Sequence, residues 1–432
     1  MRRPRATSGL VWVCTVAVLA GVVIGVVGGA FRWCLQLADH WRVDLAGWAH
    51  DLPGPGWLVP IAATAIGATL AAVVVRWVPL SAGSGIQHVE AVYRGAARPP
   101  SLLLLPAKFI GGVLAIGSGL VLGREGPTVH MGAAIGAHAA RRGGLDDRDV
   151  RMMQTALGGA GLAVAFNAPI GGILFTLEEA TKSVQLRTVL ATVFSAATAV
   201  ACARLILGDQ PDFQVDPVAA PSTVLIPVFV VFGLITGCLG ALYSRLVLWF
   251  LDGVSAVPRI PSIAKAAVIG ALIGMVAFVD PRAVGGGDPL TQLIVGGGAL
   301  ALPLALGYLL IRLVAGPLSY AAAVPGGLFA PLLAVGALWG LLFAGGLNAI
   351  LTQANPDLVV AMAIVGMAAF FGAVVRAPVT AIVLVIEMTA TMSLMVPMLA
   401  ATAAAVLAAE VLKSPPIYDS LRARMPVQRL DP

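Results

Sequence analysis

The sequence predicts an all-helical protein that crosses a membrane many times, and three observations carry that expectation. Hydrophobic residues make up 59% of the 432-residue chain and charged residues only 11%, where a soluble domain carries about 25% charged residues. With so few charges the chain cannot cover a water-facing surface, and its mean hydropathy of +0.94 places much of its outside against lipid. Apolar runs of bilayer length, roughly 20 residues, recur from one end to the other. Glycine is abundant as well, at 50 residues against a norm of about 7%. In membrane helices it permits close approach, and breaks where a ligand must sit.

Taken in order, the clear spans fall near 9–37, 57–79, 102–122, 187–207, 222–251, 299–315, 326–352 and 392–412. The first run, Leu10 to Phe31, follows Arg2, Arg3 and Arg5, as a secretory signal would. It is longer than a signal's apolar core and lacks a small-x-small cleavage site. Gly21, Gly25 and Gly29 recur in it at helix-packing spacing, so it is expected to be a retained first membrane helix. Shorter apolar pieces begin at Gly or Pro breaks: 83–93, 125–140, 152–166, 168–181, 263–279, 358–375 and 378–390. Segments too short to span, interrupted in this way, are expected to be half-helices that meet at membrane depth.

The net charge of +6 does not point to nucleic acid, because of where the charges lie. Basic residues gather at Met1–Arg5, Arg141–Arg151, Lys182–Arg187 and Lys413–Met425. These are short flanks of apolar segments, as expected for cytoplasmic ends, and a single aromatic, Tyr418, falls among them, where nucleic-acid binding would interleave several. Cys14, Cys34, Cys202 and Cys238 are scattered in apolar stretches and read as buried free thiols. The histidines His40, His50, His88, His130 and His138 show no metal-ligand spacing. No HExxH, GxSxG or Walker A sequence occurs, so an enzyme is not expected.

The two halves resemble each other. Asn167-Ala168-Pro169 opens a run through Ile173 to Glu178, and Arg376-Ala377-Pro378 opens one through Ile382 to Glu387, with Ala, Pro, Ile and Glu matching at a constant offset of 209. A Gly-rich break followed by Pro also occurs in both, at Gly123–Pro127 and Gly326–Pro331. A duplicated unit is expected, with the substrate site where the broken segments meet.

An anion in low dielectric needs positive potential, but a full buried cation would hold it too tightly for release. Helix N-termini offer free N–H groups and about half a unit of positive charge. Three glycine-marked candidates are present: Gly83-Ser84-Gly85-Ile86, Gly123-Arg124-Glu125-Gly126-Pro127 and Gly327-Leu328-Phe329-Ala330-Pro331. In the last two, Pro sits near where a first helical turn begins. On residue type alone Glu125 is either a helix cap or an intramembrane functional acid. Glu179 is either a juxtamembrane acid paired with Lys182 or Arg187, or part of a proton path. Ser84 is a turn serine or an anion ligand, and Tyr418 an interfacial aromatic or an anion ligand.

These three segments resemble, in order, the GSGIP, GREGP and GxFxP signatures of the CLC chloride channel and transporter family. Gly123–Gly136 and Gly161–Glu179 are also family-like, and the similarity runs from about residue 10 to 425. The resemblance implies a CLC-type fold of two inverted-topology repeats with many tilted and broken helices. Repeat 1 would span about 9–207 and repeat 2 about 222–425, within a single membrane transport domain, 1–432. Glu125 matches the family's gating, external proton glutamate, and Glu179 its internal proton glutamate, which channels commonly lack. Ser84, Tyr418 and the backbone amides of Arg124, Glu125, Gly126, Leu328 and Phe329 would bind the anion. Glu90 and Lys108 are read as a buried salt bridge in a supporting role, and Glu178 as holding a structural pair.

The expected function is therefore exchange of chloride for protons, with a passive voltage- or pH-gated chloride channel of the same fold as the alternative. No cofactor is expected beyond these substrates. The resemblance also implies a homodimer joined through helices near 168–205 and 378–412. A multi-pass protein of a bacterial-type plasma membrane with cytoplasmic termini is expected. The chain ends soon after Tyr418, so no soluble CBS domain pair is expected. One departure stands out: Gln87 occupies the place of the first signature's Pro. An N–H is thereby restored and the helix start should be looser.

Overall fold

The structure is a computed structural model and describes residues 9–351 and 356–425; the Met1–Arg5 cluster lies outside the described residues. Among those residues there are seventeen α-helices and no β-strand. The first eight are α1 (Leu10–Asp51), α2 (Leu58–Trp77), α3 (Ile86–Tyr93), α4 (Leu104–Gly117), α5 (Glu125–Arg142), α6 (Asp147–Phe166), α7 (Pro169–Phe175) and α8 (Leu186–Leu207). The remainder are α9 (Ile226–Ser255), α10 (Ser262–Val279), α11 (Asp288–Val295), α12 (Leu302–Ala321), α13 (Phe329–Leu351), α14 (Pro356–Val375), α15 (Pro378–Thr389), α16 (Met395–Val411) and α17 (Ile417–Ala423). Eight helices are long and apolar enough to cross a membrane: α1, α2, α8, α9, α10, α12, α13 and α14.

Two expected spans are shorter than their apolar runs. Over 102–122 the helix α4 stops at Gly117, because Gly119 turns to a φ of +120° and leads the chain into the Gly123 turn. Over 392–412 the helix α16 has 17 residues. Conversely, 263–279 and 358–375, expected as short pieces, are full-length helices. The apolar window of α14 is 89% buried inside the protein, which makes it a central helix. Its uniform hydrophobicity reflects burial on all sides.

Small residues set the helix contacts, as they must where lipid removes any hydrophobic drive between helices. Gly21 and Gly25 of α1 lie against the carbonyls of Ser195 and Ala199 of α8, and Gly29 against Ala203. The four-residue spacing seen in the sequence is thus a packing seam. In the second half, Gly233 and Gly237 of α9 lie on Ala401 and Ala405 of α16 in the same manner. Gly336 of α13 and Gly366 of α14 meet face to face, and a Cβ on either would overlap the other's carbonyl oxygen.

The breaks before the short helices are built alike in both halves. Asn167 ends α6 in the left-handed region at a φ of 50° and Pro169 starts α7. Arg376 follows α14 at a φ of 70° and Pro378 starts α15. Left-handed closure followed by Pro at a first helical turn is the expected grammar of a helix restart. The two restarts then cap each other. Glu387 of α15 accepts from the N–H groups of Ile170 (3.0 Å) and Gly171 (2.7 Å) of α7. Glu178 accepts from the N–H groups of Val379 (3.1 Å) and Thr380 (2.7 Å) of α15, and from the Thr380 hydroxyl. The partner of Glu178 is therefore a helix end rather than a base, and such a cap contributes about 1–2 kcal/mol.

The Gly336–Gly366 crossing yields a first prediction. Gly366→Val should overpack this seam by about 1–3 kcal/mol or more and lower the temperature at which detergent-solubilised protein loses its monodisperse size-exclusion peak. Gly307→Ala, where an added Cβ meets nothing within 4 Å, should leave that temperature unchanged.

Candidate functional site

The three glycine-marked turns, far apart in sequence, are joined by their own backbones. Gly83 N–H donates to Val324 O (3.1 Å) and Gly326 N–H to Gly83 O (3.2 Å). Gly123 and Gly327 exchange two hydrogen bonds of 2.8 Å. Irregular backbone at membrane depth is tolerated only when its polar groups are satisfied within the protein, and here the third turn pairs with each of the other two. The N-termini of α3, α5 and α13 are thereby brought to one place.

Glu125 sits at the centre. It is fully buried as the first residue of α5, and its Oε1 accepts the N–H of Phe329, the first residue of α13, at 2.6 Å. A Cβ on Gly123 or on Gly327 would overlap this carboxyl group, so both positions need glycine to make room for it. Oε2 has no protein partner. Thus an acid of one helix occupies the positive end of another.

Beneath it lie Ser84 and Tyr418, both fully buried, with hydroxyls that close no well-formed hydrogen bond. The two hydroxyls nonetheless lie near each other. Ser84 Oγ also faces the α-carbon of Gly126, where a Cβ would collide with it. The Tyr418 ring stands edge-on to Phe329 at 5.5 Å between centroids, and Phe329 packs in turn on Phe371 at 4.5 Å. Leu328 is fully buried in the turn just before Phe329. Ser84, Gly126, Leu328, Phe329 and Tyr418 therefore converge beside Glu125.

Arg124 contributes through its backbone, as the N-cap position of α5, while its side chain points away. The guanidinium donates to Asp288 and Asp212 at 2.8 Å each and to Ala165 O at 2.7 Å. Asp212 also pairs with Arg32 of α1 at 2.5 Å. This chain of charges borders a cavity of about 400 Å³ lined by Arg32, Asp39, His40, Arg124, Asp212 and Asp288. The cavity lies on the Arg124 side of Glu125.

The expected Glu90–Lys108 bridge does not form. Lys108 Nζ donates to Gly83 O (2.6 Å) and Ser84 O (3.1 Å), so its ammonium braces the first turn. Glu90 pairs instead with Arg422 of α17. The cause is helix geometry: both groups are buried, but Lys108 reaches the carbonyl end of the turn while Glu90 lies a full helical turn beyond. Nor does Gln87 loosen the start of α3. Gly85, at a φ of 90°, accepts from both His88 and Val89 through its carbonyl, at 3.0 and 3.1 Å, while the Gln87 side chain turns towards Tyr320.

Glu179 is buried in a π-turn over Thr176–Ala180, closed by Thr181 N–H on Thr176 O at 2.9 Å. Such turns concentrate at functional positions. Neither Lys182 nor Arg187 pairs with it: Lys182 reaches Asp419 and Arg187 reaches Asp149. The turn packs against α3, which carries Glu90, and Glu179 Oε1 has no hydrogen-bond partner.

Sequence reasoning missed Arg32, Asp212, Asp288, Arg312 and Arg422. Arg312 was the most detectable, an arginine inside the apolar run 299–315, where charge is costly and marks a special position. It is fully buried and donates to the carbonyls of Ala283, Val284, Gly285 and Gly286 at 2.7–3.5 Å. It thereby shapes the loop that delivers Asp288 to Arg124. Asp212 lies in the polar connection before α9 and gives no signal by spacing.

A bundle of membrane-length helices, interrupted so that helix ends converge on a buried acid, defines a polytopic membrane protein with a candidate ion site at its centre. The chain belongs to the voltage gated chloride channel family, whose model matches residues 66–410. It is 35% identical over 419 residues to the H(+)/Cl(-) exchange transporter ClcA of Vibrio cholerae, covering 94% of this chain and 88% of that one. It is likewise 35% identical over 424 residues to ClcA of Vibrio vulnificus, with the same coverage. Among solved structures, a slow cyanobacterial Cl-/H+ antiporter superposes with a TM-score of 0.89 at 28% identity, covering 96% of this chain and 97% of that one. A eukaryotic CLC transporter shares the fold, with a TM-score of 0.80 at 21% identity and coverage of 98% and 77%.

The charge chain bordering the cavity can be tested directly. Asp212→Asn leaves two buried guanidiniums without their shared carboxylate and should cost about 3–5 kcal/mol, read as a large fall in thermal midpoint in detergent. Asp209→Asn, which breaks the exposed pair with Arg204, should cost no more than about 1 kcal/mol.

Proposed function

We propose that this chain is a secondary transporter that exchanges chloride for protons across the membrane. The observation that carries this reading is the Glu125 carboxyl on the N-terminus of α13, with Oε1 on the Phe329 N–H at 2.6 Å. An ionised carboxylate there occupies the place a chloride would take. Once protonated, the acid no longer competes for that N–H and an anion can enter. Anion exit and proton uptake at Glu125 are then linked, because both draw on one site.

Chloride would next be held by the hydroxyls of Ser84 and Tyr418 and by the amides of Arg124, Glu125, Gly126, Leu328 and Phe329. These supply hydrogen bonds and dipoles without a permanent ion pair, so release stays fast. Protons would pass between Glu125 and Glu179. The burial of Glu179 next to a second acid supports a proton-carrying role, and the relatives named as exchangers support exchange over passive conduction. Glu90 and Lys108 would act in support, Lys108 by bracing the Ser84 turn.

The same reading covers the assembly. Matching seams (α1 with α8, α9 with α16) and the reciprocal Glu178 and Glu387 caps support one membrane domain of two repeats, about 9–207 and 222–425. We place the protein in a bacterial-type plasma membrane with its termini cytoplasmic. It would form a homodimer through the helices near 168–205 and 378–412. Exposed apolar residues on that surface, such as Ile170, Leu205, Val379 and Leu399, support such a contact.

Proton movement into proteoliposomes under an imposed chloride gradient, with no initial proton gradient, tests the proposal. Uphill proton movement is expected in the wild type, lost in both Glu125→Ala and Glu179→Ala while chloride flux persists. Chloride flux without proton movement in the wild type would instead identify a passive channel. Ser84→Ala and Tyr418→Ala should each weaken chloride binding by roughly 10- to 100-fold in calorimetry, the worth of one hydrogen bond to an ion.

A further inference from the structure

We infer that α17 is a latch between the anion path and the inner acids, with the Arg422–Glu90 ion pair as its catch and Asp419 as the alternative seat of Arg422. The inference rests on the exchange reading above for the roles of Tyr418 and Glu179. Tyr418 and Arg422 are four residues apart on α17, hence on one face of a single short helix. The first is buried beside Ser84 and Phe329. The second reaches Glu90, which is fully buried on α3. Glu90 in turn lies on α3, which packs against the Thr176–Ala180 turn that carries Glu179, and the Oε1 atom of each acid has no hydrogen-bond partner.

Two features make this contact more than an anchor. Arg422 is shared: it also forms an ion pair with Asp419, one turn back on its own helix, at 2.6 Å. Asp419 is 29% exposed and Glu90 not at all, so Arg422 stands between a buried acid and one that meets solvent. Asp419 is itself held by Lys182 at 3.2 Å and lies 4.0 Å from Arg94, in the segments just past Glu179 and α3. The segment leading into α17 is fixed as well, by Arg376 donating to Ser414 O at 2.7 Å. Withdrawal of Tyr418 from Ser84 therefore tilts α17 about a held end and draws Arg422 from Glu90, leaving it on Asp419 alone.

The consequence for the proton is direct. With Arg422 on Glu90, that carboxylate stays ionised and a proton shared by the two acids rests on Glu179. With Arg422 withdrawn, Glu90 loses its counter-charge and takes the proton from Glu179. One proton moves from one carboxyl oxygen to the other and the charge of the pair is unchanged. Opening the inner anion path thus changes which acid carries the proton.

Arg422→Gln and Asp419→Asn, with the Glu90→Gln/Arg422→Gln double variant, test this in proteoliposomes by chloride turnover and by the proton-to-chloride ratio. Arg422→Gln frees the latch, so chloride turnover should rise and the ratio fall, each by about two-fold or more. Asp419→Asn removes the alternative seat, so turnover should fall while the ratio holds. The double variant should be no worse than Arg422→Gln alone, since both changes break one contact. Turnover and ratio unchanged in Arg422→Gln, or changes of the same sign in Arg422→Gln and Asp419→Asn, would overturn the latch. If Arg422→Gln does not fold, Arg422→Met, which also removes the counter-charge of Glu90, takes its place with the same expected signs. Should the wild type move chloride without protons, the exchange reading falls, and the opposed signs of chloride turnover still decide the latch.

Discussion

The structure depends on one constraint: backbone that leaves a helix inside a membrane must find its hydrogen bonds in the protein. Three helices begin at membrane depth, and each does so from a glycine turn that would be untenable alone. The bonds of Gly83 with Val324 and Gly326, and of Gly123 with Gly327, make the three turns one unit. Convergence of the N-termini of α3, α5 and α13 follows from that pairing. So does the seat of Glu125, which needs the missing side chains of Gly123 and Gly327. The positive potential at the centre is thus assembled from backbone, with ionised bases kept to its edges.

Those edges are organised differently on the two sides of Glu125. On the Arg124 side, Arg32, Asp212, Arg124 and Asp288 form a continuous chain of alternating charge. Each buried charge has an opposite neighbour, so the chain avoids the cost of an isolated ion in low dielectric. Lys108 and Arg312 follow another rule, having carbonyl oxygens rather than carboxylates as partners. They brace turns by donating to backbone carbonyls. On the Tyr418 side, the acids Glu90 and Glu179 adjoin each other and a single arginine serves one of them.

Much of the chemistry was legible in the chain. The three glycine turns, Glu125 in the second, Glu179 after a broken helix, Ser84 and Tyr418 are all local features whose residue types suit a membrane-depth anion site. The internal match at an offset of 209 also anticipated the two restarts at Pro169 and Pro378. Pairing was less legible. Glu90 was assigned to Lys108 because both are charges in apolar stretches, yet spacing along the chain says nothing about which carbonyl or carboxylate a long side chain can reach. Asp212 and Asp288 come from connections between helices, and Arg422 from the last short helix. Nothing in the sequence near them names Arg32, Arg124 or Glu90 as partners. Span lengths erred for a related reason: hydropathy records burial but not whether lipid or protein does the burying, as α14 illustrates.

The sequence by itself determined the membrane setting, the helical class and the places where helices must break, because these follow from composition, glycine and proline. It also carried the motifs by which a family resemblance nominates Glu125, Glu179, Ser84 and Tyr418. Only the tertiary structure decided that the three breaks hydrogen-bond to one another and that Glu125 lies on the helix of Phe329. It alone decided that Arg422, and not Lys108, holds Glu90. Breaks are written in local backbone preference, whereas partners depend on where helices from distant parts of the chain cross. That crossing is set by the Gly21–Gly29, Gly233–Gly237 and Gly336–Gly366 seams acting together.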